Sequence, residues 1–407
     1  MEHWNTRKLW FEGTQRPTLS KNLRSHRRQE LIYMKKPAIC FLTVTVVLIF
    51  SQCKTQQQSA SPAAKGLKDY YKDYFLMGAA VTPRSLHGAD SALIVQQFNS
   101  LTAENAMKMG PIHPGENVYN WKDADSIVAF ARKHKLKMRG HTLLWHNQSP
   151  GWIYKDAQGD TVTKEVLLQR LKTHITEVVS RYKNDIYAWD VVNEVIDDND
   201  SVFYRKTDFY KIAGEEIIAK AFEYAHAADP KAILFYNDYS TENPKKREKI
   251  FEMIKKMKAN GVPIHGVGLQ GHWSISHPPR EEIEKSIEMF SSLGLQVQVT
   301  ELDVSVYPGR QAGQLGQSQS DTASTFTNEM EQLQRDRYKM AFEVFRKHRK
   351  QVTGVTFWNV TDRYSWLDRR GRKNYPLLFD QNHQPKKAYW DVVNFQSENP
   401  SSNMKAF

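Results

Sequence analysis

Short apolar runs that end in polar residues alternate along the chain with amphipathic stretches. One run, residues 186–194, closes with Asp190-Val191-Val192-Asn193-Glu194. A second, residues 296–304, delivers Glu301 near its end. Runs of this length are too short for buried helices and are typical of parallel strands covered on both faces. Both segments therefore predict strands that bring a glutamate to the carboxyl end of a sheet.

The same alternation continues from about residue 66 to residue 396. Strands are predicted at residues 74–81, 100–105, 136–145, 186–194, 232–239, 267–273, 296–304 and 352–360. Helices are predicted at residues 91–98, 121–135, 164–182, 212–228, 246–259, 280–293, 335–348 and 389–395. Eight such units predict an α/β fold, a single (β/α)8 TIM barrel over residues 67–396. A doubly wound sheet is the alternative, disfavoured because polar residues recur at nearly every strand's carboxyl end.

Segments outside the barrel are predicted to serve export and connection. Lys35 and Lys36 precede an apolar run at residues 38–50, which is short for a membrane span and resembles a secretory signal. Met34 is then the expected start, and a cytoplasmic tail on an anchored protein is the alternative reading of residues 1–33. Cys53 is the expected lipidation site of a bacterial lipoprotein signal, although Gln52 stands where a small residue is usual; simple secretion is the alternative. We expect a polar linker at residues 54–66, a mobile loop at residues 308–327 and a polar tail at residues 397–407.

Composition narrows the possible partners. The formal net charge is +12, but residues 1–37 hold nine Lys and Arg against three Glu, and the remaining excess is dispersed. Nucleic acid is therefore not expected as a partner. Aromatic residues make up 12% of the chain and include 10 Trp, which suits stacking on sugars. The only cysteines are Cys40 and Cys53, so the barrel has no thiol chemistry.

Amides, imidazoles, acids and indoles collect at the predicted strand ends. In strand order they are Glu104, Asn105, Lys108, His141, Trp145, His146, Asn193, Glu194, Asn237, Asp238, Tyr239, Gln270, His272, Trp273, Glu301, Asp303, Trp358, Asp362 and Trp366. Each residue alone has a structural explanation, but together they predict a rim that binds a neutral polyol.

Metals and nucleotide cofactors are not expected. His141 and His146 are five residues apart on an extended segment, which is not the spacing of a helical zinc motif. The chain has neither a Walker motif nor a Gly-x-Gly-x-x-Gly after its first strand. We therefore predict catalysis by side chains alone.

The sequence resembles glycoside hydrolase family 10, the retaining endo-β-1,4-xylanases, over essentially the whole of residues 67–396. The matching segments are residues 140–146 (GHTLLWH), 189–194 (WDVVNE), 268–273 (GLQGHW) and 299–304 (VTELDV), with Trp358, Asp362 and Trp366. The resemblance implies that Glu194 is the general acid/base and Glu301 the nucleophile. It further implies sugar binding on the non-reducing side of the cut by Glu104, Asn105, Lys108, His141, Trp145, Gln270, Trp358 and Trp366. It also implies a cis His141–Thr142 peptide. Asn359 stands where the family usually has glycine. Its side chain could crowd the floor of these subsites or add a hydrogen bond there.

Several residues near the two glutamates have expected supporting roles. His272 lies two strand positions beyond Gln270, and we expect it to hydrogen-bond Glu301 while Asp303 orients its ring. Asn193 is expected to bond the sugar 2-hydroxyl, an interaction that strengthens in the transition state. Asn237 and Tyr239 are further candidates for substrate contact.

Xylan and xylo-oligosaccharides are the expected partners of a monomeric enzyme. A β-1,4-glucanase or mixed xylanase and cellulase is the alternative within the same chemistry, since a hexose adds only an exocyclic CH2OH. A non-catalytic glycan-binding protein of the cell envelope is the alternative of another class.

Overall fold

Within the part of the chain that the structure, a computed structural model, describes, residues 65–308, 326–368 and 372–395, parallel strands close into a barrel. The strands are β1 (Leu76–Val81), β2 (Ser100–Ala103), β3 (Lys137–Leu144), β4 (Ile186–Asn193), β5 (Ile233–Asp238), β6 (Gly266–Leu269), β7 (His272–Ser274), β8 (Gln296–Ser305) and β9 (Val352–Phe357). Neighbours pair in sequence from β1 to β6, β9 joins β1 to β8, and the pairing of β6 with β8 closes the ring. The predicted barrel is confirmed.

The sixth predicted strand is divided in two. Gln270 and Gly271 interrupt it, and β7 then continues alongside β8 through the pairs His272–Asp303 and Trp273–Val304. This extension places His272 beside the carboxyl end of β8, where Glu301 lies.

Helices follow most strands and cover the outside of the barrel. They are α1 (Leu67–Tyr70), α2 (Gly88–Gln97), α3 (Met109–Ile112), α4 (Lys122–Lys133), α5 (Lys164–Tyr182), α6 (Asp208–Ala213), α7 (Glu216–Ala228), α8 (Pro244–Ala259), α9 (Arg280–Ser291), α10 (Asn328–Lys347) and α11 (Lys387–Val393). The α5 bounds are those predicted.

Two helix predictions need correction. The helix expected at residues 212–228 is two helices, α6 and α7, because Gly214 takes a left-handed conformation with φ of 65° between them. Helix α10 begins seven residues earlier than expected. The Thr327 side chain caps it by accepting a hydrogen bond from the backbone N–H of Met330, and its polar first turns had hidden the helical period.

A close contact between Gly140 and Trp189 accompanies the pairing of β3 with β4. A Cβ atom at Gly140 would lie 2.1 Å from Cε3 of Trp189, which is too close for two carbon atoms that are not bonded. Only glycine at this position leaves room for the indole of Trp189 to pack directly against β3.

The export and connection segments lie wholly or largely outside the described residues. This applies to the signal at residues 1–53, most of the linker, most of the loop at residues 308–327 and the tail. Among the helices of the described ranges, none is long and apolar enough to cross a bilayer.

Candidate active site

A cleft of about 460 Å³ opens at the carboxyl ends of the barrel strands. It is lined by Glu104, Asn105, Lys108, His141, Trp145, His146, Asn147, Gln148, Asn193, Glu194, Arg205, Tyr239, Gln270, His272, Glu301, Trp358 and Trp366. Most residues predicted for the rim therefore meet around one cavity, as a closed barrel requires.

Glu194 follows the last residue of β4 and has a left-handed backbone, with φ of 59°. Its two carboxyl oxygens accept hydrogen bonds from neutral donors: Oε2 from Trp145 Nε1 at 2.8 Å and Oε1 from Gln270 Nε2 at 2.9 Å. Burial, followed by the negative charges of Asp238 and Glu301, raises the pKa of Glu194. This carboxyl group is set up to hold a proton.

Glu301 lies on β8 and is only 5% exposed. Its Oε1 accepts a hydrogen bond from Asn237 Nδ2 at 2.8 Å, and its Oε2 lies 3.2 Å from Nε2 of His272. Burial works to raise the pKa of Glu301, but the hydrogen bond from His272 and the positive charges of His141, His272 and Lys108 outweigh it. The net shift is downward, so this carboxyl group is held ionised.

His272 owes its charge to a buried acid beneath it. Its Nδ1 lies 3.0 Å from Asp303 Oδ2, which also accepts a 2.7 Å hydrogen bond from Trp366 Nε1. Burial favours the neutral ring, but Asp303 and then Glu301 outweigh it and raise the pKa of His272 to about 10. The contacts that the sequence suggested for this histidine are present, and the indole of Trp366 is an unforeseen partner of Asp303.

Asn237 was predicted to contact substrate, but the structure places it behind the cleft wall. It is fully buried, and its Nδ2 donates to both Glu301 Oε1 and Asn193 Oδ1 at 2.8 Å. Its Oδ1 accepts a hydrogen bond from Thr300 at 2.6 Å. With its amide already engaged, Asn237 supports Glu301 and Asn193 instead of reaching a sugar.

Lys108 organises the other end of the cleft. Its Nζ donates a 3.0 Å hydrogen bond to Asn105 Oδ1 and lies 4.7 Å from the ring centre of Trp145 and 5.9 Å from that of Trp358. The Asn105 amide donates in turn to Glu104 Oε1 at 3.1 Å. The buried ammonium thus lies within cation–π distance of two indoles that line the cleft.

His141 is held by an ion pair that the sequence reading missed. Its Nδ1 lies 3.0 Å from Asp190 Oδ2, and Asp190 also receives both terminal nitrogens of Arg139, at 2.6 and 3.2 Å. All three side chains are buried. The pairing leaves Nε2 of His141 as the ring nitrogen available to the cleft. The expected cis His141–Thr142 peptide is confirmed.

Tyr239 lines the cleft on the far side of Glu194, within a charged cluster absent from the sequence prediction. Its hydroxyl donates to Asp198 and accepts a 2.7 Å hydrogen bond from Arg205 Nη2. Arg205 Nε also donates to the backbone carbonyl of Glu194 at 3.1 Å. The available signal was the segment at residues 197–200, three Asp and one Asn, because clustered acids need basic partners when they pack against the barrel.

Asn359 does not narrow the floor of the cleft. Its backbone φ is 132°, a region that favours glycine, and its side chain is turned toward backbone groups. Nδ2 donates to the carbonyl of Tyr364 at 3.2 Å, and Oδ1 accepts from the N–H of Val360 at 2.8 Å. The residue replaces glycine without entering the cavity.

His, Cys, Asp and Glu side chains do not form a cluster of three able to hold a metal ion in the described ranges. His141 and His146 both line the cleft, but His141 is engaged with Asp190 and the pKa of His146 is lowered to about 4, first by burial and then by the charge of Arg205.

The fold and the cleft together define a class of enzyme. At the mouth of a (β/α)8 barrel, among amides and indoles suited to sugars, the pKa of one carboxyl group is raised and that of a second is lowered. A pair of carboxyl groups with opposite pKa shifts in a sugar-binding cleft is typical of a glycoside hydrolase.

Comparisons with known proteins identify the family. The model of glycosyl hydrolase family 10 matches residues 66–395, and the chain belongs to this family. A β-1,4-xylanase of Dictyoglomus thermophilum is 48% identical over 353 residues, which cover 86% of this chain and 96% of that one. A xylanase structure from Paenibacillus barcinonensis, in complex with a conduramine derivative, has a TM-score of 0.78 and 45% identity, covering 82% of this chain and 99% of that one. A mutant structure in complex with xylotriose also has a TM-score of 0.78, with 40% identity and coverage of 82% and 100%.

Proposed function

We propose that this protein is an endo-β-1,4-xylanase that cleaves internal bonds of xylan with retention of anomeric configuration. The observation that carries the proposal is the opposite tuning of two glutamates at one cleft. Neutral donors surround Glu194, whereas a charged imidazole and a lysine favour ionised Glu301. The xylanase names of the relatives support the choice of substrate.

In the first step Glu301 attacks the anomeric carbon while Glu194 protonates the leaving oxygen. Formation of the glycosyl ester removes the negative charge from Glu301, which weakens the repulsion that kept the proton on Glu194. Glu194 then acts as a base and activates water, which hydrolyses the ester with a second inversion. Asn193, oriented by the Asn237 amide, is proposed to bond the sugar 2-hydroxyl as charge develops.

We propose that the non-reducing side of the substrate binds at the end of the cleft where Lys108 lies beside the indoles of Trp145 and Trp358. Hydroxyl groups would meet Glu104, Asn105, Lys108, His141 and Gln270, and ring faces would meet Trp145, Trp358 and Trp366. Because the ammonium of Lys108 sits between two of these indoles, little room remains for the CH2OH group of a hexose.

The first experiment measures reducing ends released from xylan and, in parallel, from carboxymethyl cellulose, with chelator present. We expect rapid xylan cleavage that chelator does not affect, and proton NMR should show the β-anomer as the first product. Comparable cleavage of the cellulose would support the mixed-specificity alternative. No cleavage of either polymer, with binding retained, would support the glycan-binding alternative.

We also propose export as a lipoprotein, acting as a monomer. Support comes from Lys35 and Lys36, the apolar run at residues 38–50 and the position of Cys53. Mass spectrometry of the N-terminal peptide from membranes should find a lipid on Cys53, and Cys53→Ser should release the enzyme. An unmodified peptide in the medium would support simple secretion. Light scattering should give the mass of one chain.

A further inference from the structure

A second buried acid lies beside Glu194, at the end of β5. Asp238 is fully buried, and its Oδ1 lies 2.9 Å from Nζ of Lys246 on α8. The same oxygen accepts a 2.9 Å hydrogen bond from the N–H of Tyr239, and Oδ2 accepts one from the hydroxyl of Tyr236. Burial raises the pKa of Asp238, and the charge of Lys246 together with the hydrogen bonds from Tyr236 and Lys246 opposes that shift and favours the ionised form.

Lys246 joins this acid to the loop that follows β4. Its buried ammonium lies 2.9 Å from Asp198 Oδ1 and 3.4 Å from the ring centre of Tyr239. The next lysine along the helix face, Lys249, donates to the carbonyls of Asp197, Asn199 and Val202 at 2.6 to 2.9 Å. The start of α8 therefore fixes the loop that runs from Glu194 toward Arg205.

The network reaches the backbone of Glu194 on both sides. The N–H of Glu194 donates to the carbonyl of Asn237 at 3.0 Å, and its carbonyl accepts from Arg205 Nε. The N–H of the next residue, Val195, donates to the hydroxyl of Tyr236 at 3.3 Å, and that hydroxyl in turn donates to Asp238. These contacts hold Glu194 in its left-handed conformation.

Asp238 also acts on Glu194 through its charge. After burial, it is the largest contributor to the raised pKa of Glu194, ahead of Glu301. The pair is surrounded by other charged or titratable groups on neighbouring elements: Glu301 on β8, His272 on β7, Tyr236 on β5, Lys246 on α8, Lys108, and the loop residues His146, Asp198, Arg205 and Tyr239.

We propose that Asp238, paired with Lys246, is a positioning residue for the acid/base glutamate. Its buried negative charge keeps the proton on Glu194, and its hydrogen bond with Tyr236 fixes the backbone from which Glu194 projects. The proposal rests on the proposed function of Glu194. It states that the raised pKa of Glu194 depends on Asp238, which lies outside the cleft lining, as well as on repulsion by the nucleophile Glu301.

The test is the pH profile of kcat/KM on xylo-oligosaccharides for the full chain and its Asp238→Asn variant. Loss of the negative charge makes Glu194 give up its proton at lower pH, so the high-pH limb should move down on the order of 0.5 to 1 pH unit. Tyr236→Phe is the matched control, because it removes the hydroxyl that links Val195 to Asp238 and keeps the carboxyl group of Asp238 and its partner Lys246 in place. It should lower kcat without moving that limb downward.

A leaving-group comparison separates proton donation from general damage. A nitrophenyl β-xylobioside needs little protonation of its leaving group, so Asp238→Asn should lose several-fold less rate on it than on xylan. Equal losses on both substrates, or an unmoved limb, would overturn the proposal.

Thermal melts check that the variants fold. If Asp238→Asn fails to fold, Lys246→Gln replaces it. Lys246 is the largest influence that lowers the pKa of Asp238, so without it Asp238 takes up a proton at higher pH and no longer repels a charge on Glu194; the high-pH limb should then fall, and a limb that stays or rises would refute the proposal. A wild-type chain that does not cleave xylan would instead refute the proposed function, which keeps the two failures distinct.

Discussion

Replacement of Asp303 by Asn removes the charge beneath His272 while preserving the shape of the side chain. In the native protein Asp303 is buried, and its Oδ2 receives both His272 Nδ1 and Trp366 Nε1. With the charge gone, the pKa of His272 falls from about 10 toward its ordinary value near 6.5. Above neutral pH the ring then becomes neutral, and Glu301 loses a charged donor.

The size of the effect follows from that lost donor. A hydrogen bond to a charged group contributes about 1.5–3 kcal/mol, and Glu301 is too buried for water to replace it fully. Since one pKa unit corresponds to about 1.4 kcal/mol, a neutral ring makes the Glu301 anion less stable by the equivalent of about one to two pKa units. Below about pH 6.5 the variant's ring is still protonated, so the low-pH limb, where Glu301 itself titrates, should stay in place, and the loss should appear as the pH rises through about 6.5.

The assay is kcat/KM on xylo-oligosaccharides from pH 3 to pH 9. We expect Asp303→Asn to keep the native low-pH limb and to lose about tenfold or more of its rate as the pH rises above about 6.5, where the native enzyme keeps a charged imidazole. Trp366→Phe is the control, because it removes the other donor to Asp303 and leaves the His272 contact intact. It should raise KM and leave the pH dependence unchanged. A native pH dependence above about pH 6.5 in Asp303→Asn would refute the account of His272.

Three further changes test the rest of the site. Asp190→Asn leaves Arg139 buried beside a neutral partner, so urea denaturation should show a loss of about 3–5 kcal/mol in the free energy of unfolding; a loss below about 1 kcal/mol would contradict the ion pair's role. Lys108→Ala should increase the ratio of cello-oligosaccharide to xylo-oligosaccharide cleavage, and an unchanged ratio would remove crowding as the basis of specificity. Asn359→Gly should leave KM for xylan within about twofold, because the amide faces backbone groups; a several-fold change would place its side chain in the cleft.

The barrel could be predicted because nearly every apolar run ended in polar residues, and parallel strands bring such ends to one edge. The division at Gly214 was missed because a single left-handed glycine interrupts a pattern that otherwise stays amphipathic. The early start of α10 was missed because its first turns are polar and only the Thr327 cap marks them. Local patterns define where apolar faces run, but a single cap or turn decides where a helix ends.

The residues beneath the cleft were harder to predict. Arg139 and Asp190 are 51 positions apart, and Lys246 and Asp198 are 48 apart. A charge inside an apolar strand indicates that a buried partner exists, and both Arg139 and Asp190 carried that signal. Which partner it finds depends on strand register, which the sequence pattern leaves open. For the same reason Asn237 was predicted to contact substrate, although β5 directs it toward Glu301.

Glu194 and Glu301 have identical side chains, and the groups around each one determine their different roles. Glu301 is contacted by an amide and by an imidazole that a second acid keeps charged, so each partner favours the anion. The carboxyl group of Glu194 accepts hydrogen bonds from two neutral donors, Trp145 and Gln270, and the buried acid Asp238 repels a second negative charge. Both glutamates thus have an aspartate behind them, but at Glu301 a histidine stands between the acids and reverses the sign of the effect. Whether an intervening cation is present therefore decides which carboxyl group attacks and which donates the proton.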